Sequence, residues 1–209
     1  MATTAPVPLD PEHVEDAAGV LLRSFAADPG LCFVLPDATD RDRLGPSLAR
    51  VVVRYAVRCG APLVTPDAVR GVALWFPPDA PASTDGDLAE TGLAAVPAQV
   101  GPEAWRRFKR LLDHLDALHS RHAPEPHWYL AMLGVDPAWQ RQGIAEALMR
   151  PVFAAADRTG VACYLEAPTE GNARYYARRG FRVMAETDVP DSDVHVWLMR
   201  REPERHGCS

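Results

Sequence analysis

The sequence predicts a single α/β domain, a mixed β-sheet layered with helices. Three observations carry this reading. From His127 onward, short apolar runs alternate with helical periodicity, which argues an α/β layer with at least one parallel strand pair. Before that point, amphipathic helices and two short strands supply further layers. Finally, 209 residues with 47% hydrophobic and 24% charged side chains suffice for one sizeable core. Those proportions exclude wholesale disorder, and no linker or internal repeat divides the chain.

Taken in order, Val14, Ala17, Leu21 and Phe25 recur at helical spacing, predicting a helix over 11–27 that starts behind Asp10 at Pro11 and stops at Asp28-Pro29-Gly30. A second helix spans about 40–58, with Leu44, Leu48, Val51 and Tyr55 on one stripe. Two strands follow, 62–65 and 69–76, joined by a tight turn at Pro66-Asp67 and ended by Pro77-Pro78. Residues 79–102, rich in Pro, Gly, Ala and Asp, read as a surface loop with one weak helical turn around 87–95. A charged helix covers 102–122. Then come strand 127–135, helix 141–159, strand 161–166, helix 170–179, and strands 181–186 and 194–200. Pro151 falls inside the predicted 141–159 helix, yet Ile144, Leu148, Val152 and Ala155 keep the apolar stripe on both sides.

Charge and cysteines narrow the function classes. With 22 basic and 28 acidic groups the formal net charge is −6, so no global basic footprint for nucleic acid exists. Cys32, Cys59, Cys163 and Cys208 are widely spaced without a C-x-x-C pair, which predicts reduced cytosolic thiols rather than a disulfide scaffold or zinc ribbon. Residues 1–10 contain no basic residue and no long apolar stretch, unlike a signal peptide. The longest apolar run, 129–135, is far short of a membrane span. A cytoplasmic protein without membrane partner, monomeric or homodimeric, is expected. His114, His119 and His122 lack acidic or Cys co-ligands at metal spacing, so no metal is expected.

The informative segment is Leu133-Gly134-Val135-Asp136-Pro137-Ala138-Trp139-Gln140-Arg141-Gln142-Gly143-Ile144-Ala145. A strand runs through a turn into a helix start, whose free N–H groups and partial positive charge suit a pyrophosphate. Gly143, without Cβ, permits close backbone approach, and Ala145 is small. The nucleotide P-loop is excluded because this turn contains no Lys, and the dinucleotide fingerprint because only one of its three glycines is present.

Gln140-Arg141-Gln142-Gly143-Ile144-Ala145 fits the pattern Q/R-x-x-G-x-G/A, and Asn172-Ala173-Arg174-Tyr175-Tyr176-Ala177-Arg178-Arg179-Gly180-Phe181 fits N-x-x-x-Y-x-x-x-G-F. On these motifs, residues 126–200 resemble the GNAT superfamily of N-acetyltransferases and, within it, the puromycin N-acetyltransferase branch. Phe25-Ala26-Ala27-Asp28-Pro29 and Leu74-Trp75-Phe76-Pro77-Pro78 look like that branch too. The resemblance implies a GNAT fold, a mixed, twisted central sheet of about six to seven strands flanked by helices and splayed where acetyl-CoA enters. It implies that residues 127–200 form the acetyl-CoA core and 1–126 mainly the acceptor side. The backbone of Leu133, Gly134 and Val135 would pair with the pantetheine arm, and amides near the end of that strand would stabilise the oxyanion. The segment Gln140, Arg141, Gln142, Gly143, Ile144 and Ala145 would hold the pyrophosphate, Asn172 would meet pantetheine, and Tyr176 would protonate the departing thiolate.

Spacing adds independent support, because Asn172 and Tyr176 are i and i+4 on one helix face and Gly180 ends that helix. Tyr175 points about 100° away and reads as packing. An amine with a Lys-like pKa is protonated at neutral pH, so a base is needed. Glu166, a carboxylate closing an apolar strand and half of a puromycin-type Leu-Glu pair, is the candidate, with His127 and His195 as alternatives. Phe25, Asp28, Phe33, Trp75, Trp128 and His195 are the acceptor-pocket candidates, and Tyr129 reads as half core, half pocket wall. The expected reaction is direct acetyl transfer to the amine of a small molecule, antibiotic- or metabolite-like. The rivals are a protein N-terminal or lysine acetyltransferase and a non-catalytic acyl-CoA sensor. Charge is uneven: residues 1–126 hold 12 basic and 17 acidic groups, residues 138–182 seven basic and four acidic, matching a cationic acceptor and an anionic cofactor respectively.

Overall fold

A computed structural model describes residues 5–80 and 84–204, so Cys208 lies outside the described residues. After β1 (Val7–Pro8), Asp10 accepts a 2.8 Å hydrogen bond from the Glu12 amide and opens a 3-10 turn at Pro11–His13 that leads into α1 (Val14–Ser24). The first helix has ended before Asp28-Pro29-Gly30, and that segment at once starts another. The Asp28 carboxylate accepts from the Leu31 amide at 3.0 Å, Pro29 sits where a missing N–H costs nothing, and α2 (Pro29–Val34) forms. Asp37 caps α3 (Ala38–Cys59) in the same way. Next come β2 (Leu63–Val64) and β3 (Gly71–Phe76).

The stretch 79–102 departs from the predicted loop. Thr84 and Asp87 form a capping box that starts α4 (Asp85–Thr91). A 3-10 turn at Leu93–Ala95 leads into α5 (Val96–His122), which is kinked at Gly101 with φ 81°. Pro97 lies in the first turn of α5, where proline is tolerated, and Pro102 opens the second helical piece just after the kink, at the predicted helix start. The remainder follows the predicted order: β4 (His127–Val135), a 3-10 turn at Pro137–Trp139, α6 (Ile144–Thr159), β5 (Ala162–Ala167), α7 (Glu170–Ala177), β6 (Arg182–Asp188) and β7 (His195–Arg201). α6 continues through Pro151 and begins three residues later than expected, because Arg141 and Gly143 take left-handed φ values of 61° and 83°.

The seven strands form one sheet in the order β1-β2-β3-β4-β5-β7-β6. Among the described residues only β4 and β5 run parallel, and their ladder is short: His127–Ala162, Trp128–Cys163 and Tyr129–Tyr164. Beyond Tyr129 the two strands part. On the other side of β4, Leu74 pairs with Met132 but Trp75 pairs with Leu130, leaving Ala131 as a bulge. The bulge resets the pleat, so Leu130 packs on one face of the sheet and Met132 on the other.

Each face has its own core. Ala73, Trp75, Cys163, Leu165 and Met199 pack against Leu148, Met149 and Val152 of α6. Val72 and Leu74 face Val20, Leu21 and Ala56 of α1 and α3, while Tyr164, Val196 and Leu198 meet Leu115 and Leu118 of α5. Among the described residues no helix is long and apolar enough to cross a membrane.

Candidate active site

The divergence of β4 from β5 opens two adjoining cavities. The larger, about 980 Å³, lies between the sheet and helices α1, α3 and α5. The smaller, about 300 Å³, is lined by Leu133, Gly134, Val135, Gln140, Thr169 and Asn172. Phe25, Asp28, Leu133 and Asn172 border both and mark their junction.

The floor of the smaller cavity explains itself from the backbone up. Gly134 carries no side chain because a Cβ there would strike Ser24 and Leu21, so α1 lies directly on β4. Gln140 Nε2 donates to the Val135 carbonyl at 3.2 Å, fastening the turn to the strand it leaves. Asp136 accepts from the Ala138 amide at 3.0 Å and from Arg23 at 2.8 Å, fixing the strand end. Gly143 then takes a conformation that L side chains rarely adopt and caps α6 without any side-chain hydrogen bond. The first-turn N–H groups of α6 thus have no side-chain acceptor, with Gln140–Gly143 exposed beside them. Ile144 turns its side chain into the core toward Gly71, leaving its backbone as the part available to a ligand.

α7 begins at Thr169, whose hydroxyl accepts from the Asn172 amide at 3.1 Å. Asn172 is exposed and Tyr176 is 9% exposed, and both line the larger cavity from the same helix face. Tyr176 stacks edge-on to Phe181, and burial raises its phenol pKa, holding it protonated. Tyr175 points elsewhere, under the Arg179 guanidinium at 3.6 Å.

Glu166 lines the larger cavity from β5. The Tyr129 hydroxyl donates to its Oε2 at 2.9 Å, while Oε1 is buried without a hydrogen-bond partner among the described residues. Burial pushes the carboxyl pKa up to about 7, against the opposing pull of the Tyr129 and Tyr164 phenols. The buried Tyr164 hydroxyl likewise has no partner among the described residues. The two groups nevertheless lie close enough for the Tyr164 phenol to stabilise the ionised Glu166 carboxylate.

Beside this carboxylate, the two histidines His119 and His127 meet Nε2 to Nε2 at 2.6 Å. His127 Nδ1 lies 2.6 Å from the Glu125 carbonyl, which can only accept, so Nδ1 carries the proton. The His127 Nε2 lone pair must then accept from His119 Nε2–H. Burial lowers both pKa values, that of His119 to about 4, keeping the pair neutral at neutral pH.

The acceptor-side residues fall on both sides of the sheet. Phe25 and Asp28 line the cavity, as does Tyr129. Trp75, 0% exposed, sits on the opposite face, edge-on to Trp128 with ring centroids 6.4 Å apart, so neither tryptophan borders it. Leu74 and Phe76, the neighbours of Trp75 in β3, take those positions. Phe33 packs between helices, and His195 pairs with Asp188 at 2.6 Å against Trp197 outside the cavity. Sequence reasoning missed Asp116 and His119, which reach the cavity from α5.

Residues 102–181 match the model of the acetyltransferase (GNAT) family. Among solved structures, histone acetyltransferase HPA2 and related acetyltransferase from Corynebacterium glutamicum is 24% identical, covering 96% of this chain and 98% of its own with a TM-score of 0.71. Arylalkylamine N-acetyltransferase 2 from Aedes aegypti is 17% identical over 95% and 98%, with a TM-score of 0.64. A polyamine N-acetyltransferase from Drosophila melanogaster that forms N-acetylagmatine is 15% identical over 94% and 98%, with a TM-score of 0.59. These likenesses speak for the fold. The matched segment contains the Gln140–Ala145 turn and the Asn172/Tyr176 helix, so residues 102–181 are similar to the acetyltransferase (GNAT) family on a fold that the solved structures share.

Proposed function

We propose that this enzyme transfers the acetyl group of acetyl-CoA directly to the amine of a small molecule, with Glu166 as general base and Tyr176 as general acid. One observation carries the reading: a buried carboxylate with an unshared oxygen lines a cavity that adjoins the cofactor-side groove. The chain's residues fit acetyl-CoA. The uncapped start of α6 and the exposed turn Gln140, Arg141, Gln142, Gly143 suit a pyrophosphate, with Ile144 and Ala145 adding backbone amides. The β4 edge at Leu133, Gly134 and Val135, without a β5 ladder partner, suits an amide-bearing pantetheine arm, with Asn172 opposite. Acetyl-CoA supplies the activated acetyl group. The protein's own work is to deprotonate the incoming ammonium and to return a proton to the leaving sulfur.

Glu166 suits the first task, because its raised pKa narrows the gap to an amine while leaving a large ionised fraction at neutral pH. His127 suits it less, since its Nε2 lone pair is committed to His119. His195 lies outside the cavity. Tyr176 suits the second task, being protonated and on the cavity wall. Asp28, at the junction of the cavities, would attract the cationic head. Small-molecule acceptors are favoured over proteins because α5, through Phe108, Leu111 and Leu115, walls the cavity. The arylalkylamine and polyamine acetylation of the mosquito and fly neighbours points the same way, and the Leu165-Glu166 strand end keeps the puromycin-type likeness. Incubating the purified protein with acetyl-CoA and an amine panel, with thiol release as the readout, tests this. Turnover on at least one small amine is expected; acetyl-CoA binding without turnover on any amine, or turnover confined to protein substrates, would overturn it.

A further inference from the structure

Given the amine-acetyltransferase reading, on which this inference rests, the shape and charge of the larger cavity define the acceptor more narrowly. Among the described residues, no Lys or Arg lines it. Its formally charged wall residues are all carboxylates: Asp28, Asp116, Glu125 and Glu166. These are confined to α2, α5, β5 and the segment before β4, and Glu125 is already paired with Arg200 at 3.5 Å. Burial raises the pKa values of Asp28, Asp116 and Glu166, and for Asp116 the neighbouring Asp113 adds to the rise while Lys109 opposes it.

The other end has the opposite character. Toward α3 and α4 the wall is Leu48, Val52, Tyr55, Phe76, Leu88 and Leu93. The Tyr55 hydroxyl is the one polar side-chain group among these six. At about 980 Å³ the cavity is near the upper end for a small-molecule site, far more room than the amine of a short metabolite fills. An ammonium in this lobe would lose water and find no counter-charge, whereas an apolar body would replace water on an apolar wall.

We infer that the acceptor is a single-headed amphipathic amine, a primary ammonium carried on an extended alkyl or aryl body, and that diamines and polyamines are rejected. The head lies among the carboxylates near Glu166, where it loses its proton. The body lies in the α3–α4 lobe. The ammonium first loses one proton to Glu166, which releases it to solvent; the acetyl C–S bond of acetyl-CoA then breaks as the amide C–N bond forms, Tyr176 gives its proton to the departing thiolate, and the second proton released from the nitrogen restores the phenol.

The test compares octylamine with 1,8-diaminooctane, which differ by one terminal ammonium at equal length. Wild-type enzyme, acetyl-CoA and thiol release are used, alongside spermidine and an octanoyl-CoA arm with ethanolamine. The inference predicts kcat/KM at least about 100-fold higher for octylamine than for the diamine or spermidine. Val52→Glu, which places a carboxylate in the lobe, is predicted to narrow that ratio by about tenfold or more, with acetyl-CoA binding retained in calorimetry as the check on folding. Equal or better turnover of the diamine or spermidine would overturn the inference while leaving amine acetylation standing. So would faster transfer from octanoyl-CoA to ethanolamine than from acetyl-CoA to octylamine, since the lobe would then hold an acyl chain. Acetyl-CoA binding without turnover of any amine would instead overturn the underlying reaction.

Discussion

Tyr129 donates a 2.9 Å hydrogen bond to one oxygen of Glu166, while the other oxygen is buried with no hydrogen-bond partner at bonding geometry among the described residues, so the carboxylate is held by one of its two oxygens. The phenol stabilises the ionised form, and burial opposes it more strongly. Tyr129→Phe removes the stabilising partner, so the carboxyl pKa must rise further. The rate-versus-pH curve of this variant is expected to shift to higher pH, with the plateau rate reduced less than the rate at neutral pH.

Glu166→Gln keeps the shape of the side chain and removes its basicity. A fall of about 10²–10⁴-fold in kcat/KM for amine acetylation is expected, with acetyl-CoA affinity in calorimetry changed less than about threefold. An equal loss of cofactor affinity would mean that Glu166 supports the fold rather than the chemistry.

The same carboxylate makes stability depend on pH. Its folded pKa, about 7, lies above the ordinary 4.5, so the folded state holds a proton that the unfolded state has released between those values. This contribution is fully present below about 4.5 and is lost as pH rises through about 7, where the fold must carry a buried charge. Glu166→Gln avoids that charge. Chemical denaturation is expected to show the variant gaining on the wild type as pH rises from 5 to 8, by on the order of 2 kcal/mol.

Tyr176→Phe should lower kcat for amine acetylation about tenfold or more while leaving the acetyl-CoA dissociation constant nearly unchanged, measured by steady-state kinetics and calorimetry together. Full turnover by this variant would remove Tyr176 from the chemistry and leave it as packing against Phe181.

Gly143 takes φ 83° at the start of α6. Gly143→Val forces a β-branched residue into that conformation, at a cost of about 1–3 kcal/mol. Acetyl-CoA affinity is expected to fall at least about tenfold as the turn rearranges, whereas thermal unfolding remains a single cooperative transition.

Much of the β4–α6–α7 region, the proposed cofactor side, could be read from the chain as secondary structure because its periodicity is local. Strand 127–135, the turn after it and the Asn172/Tyr176 helix each signal themselves within a dozen residues. The wall of the larger cavity could not, for three physical reasons. β3 is apolar on both faces, so nothing in Leu74-Trp75-Phe76 says that Leu74 and Phe76 face the cavity while Trp75 faces α6. α2 and α4 are short, and their Pro and Gly residues read as breakers until their Asp28 and Thr84 caps are seen in place. Asp116 and His119 lie on a helix whose charge suggests solvent, and only the return of α5 over the sheet brings them beside Glu166.

The most direct test is the pH dependence of kcat/KM for octylamine, wild type against Glu166→Gln, from pH 5.5 to 9. The account predicts a wild-type rate that rises through an inflection near 7, set by the buried Glu166 carboxyl, and a variant that lacks this inflection and runs at least about 100-fold slower at pH 8. A variant that keeps both the inflection and most of the rate would contradict it.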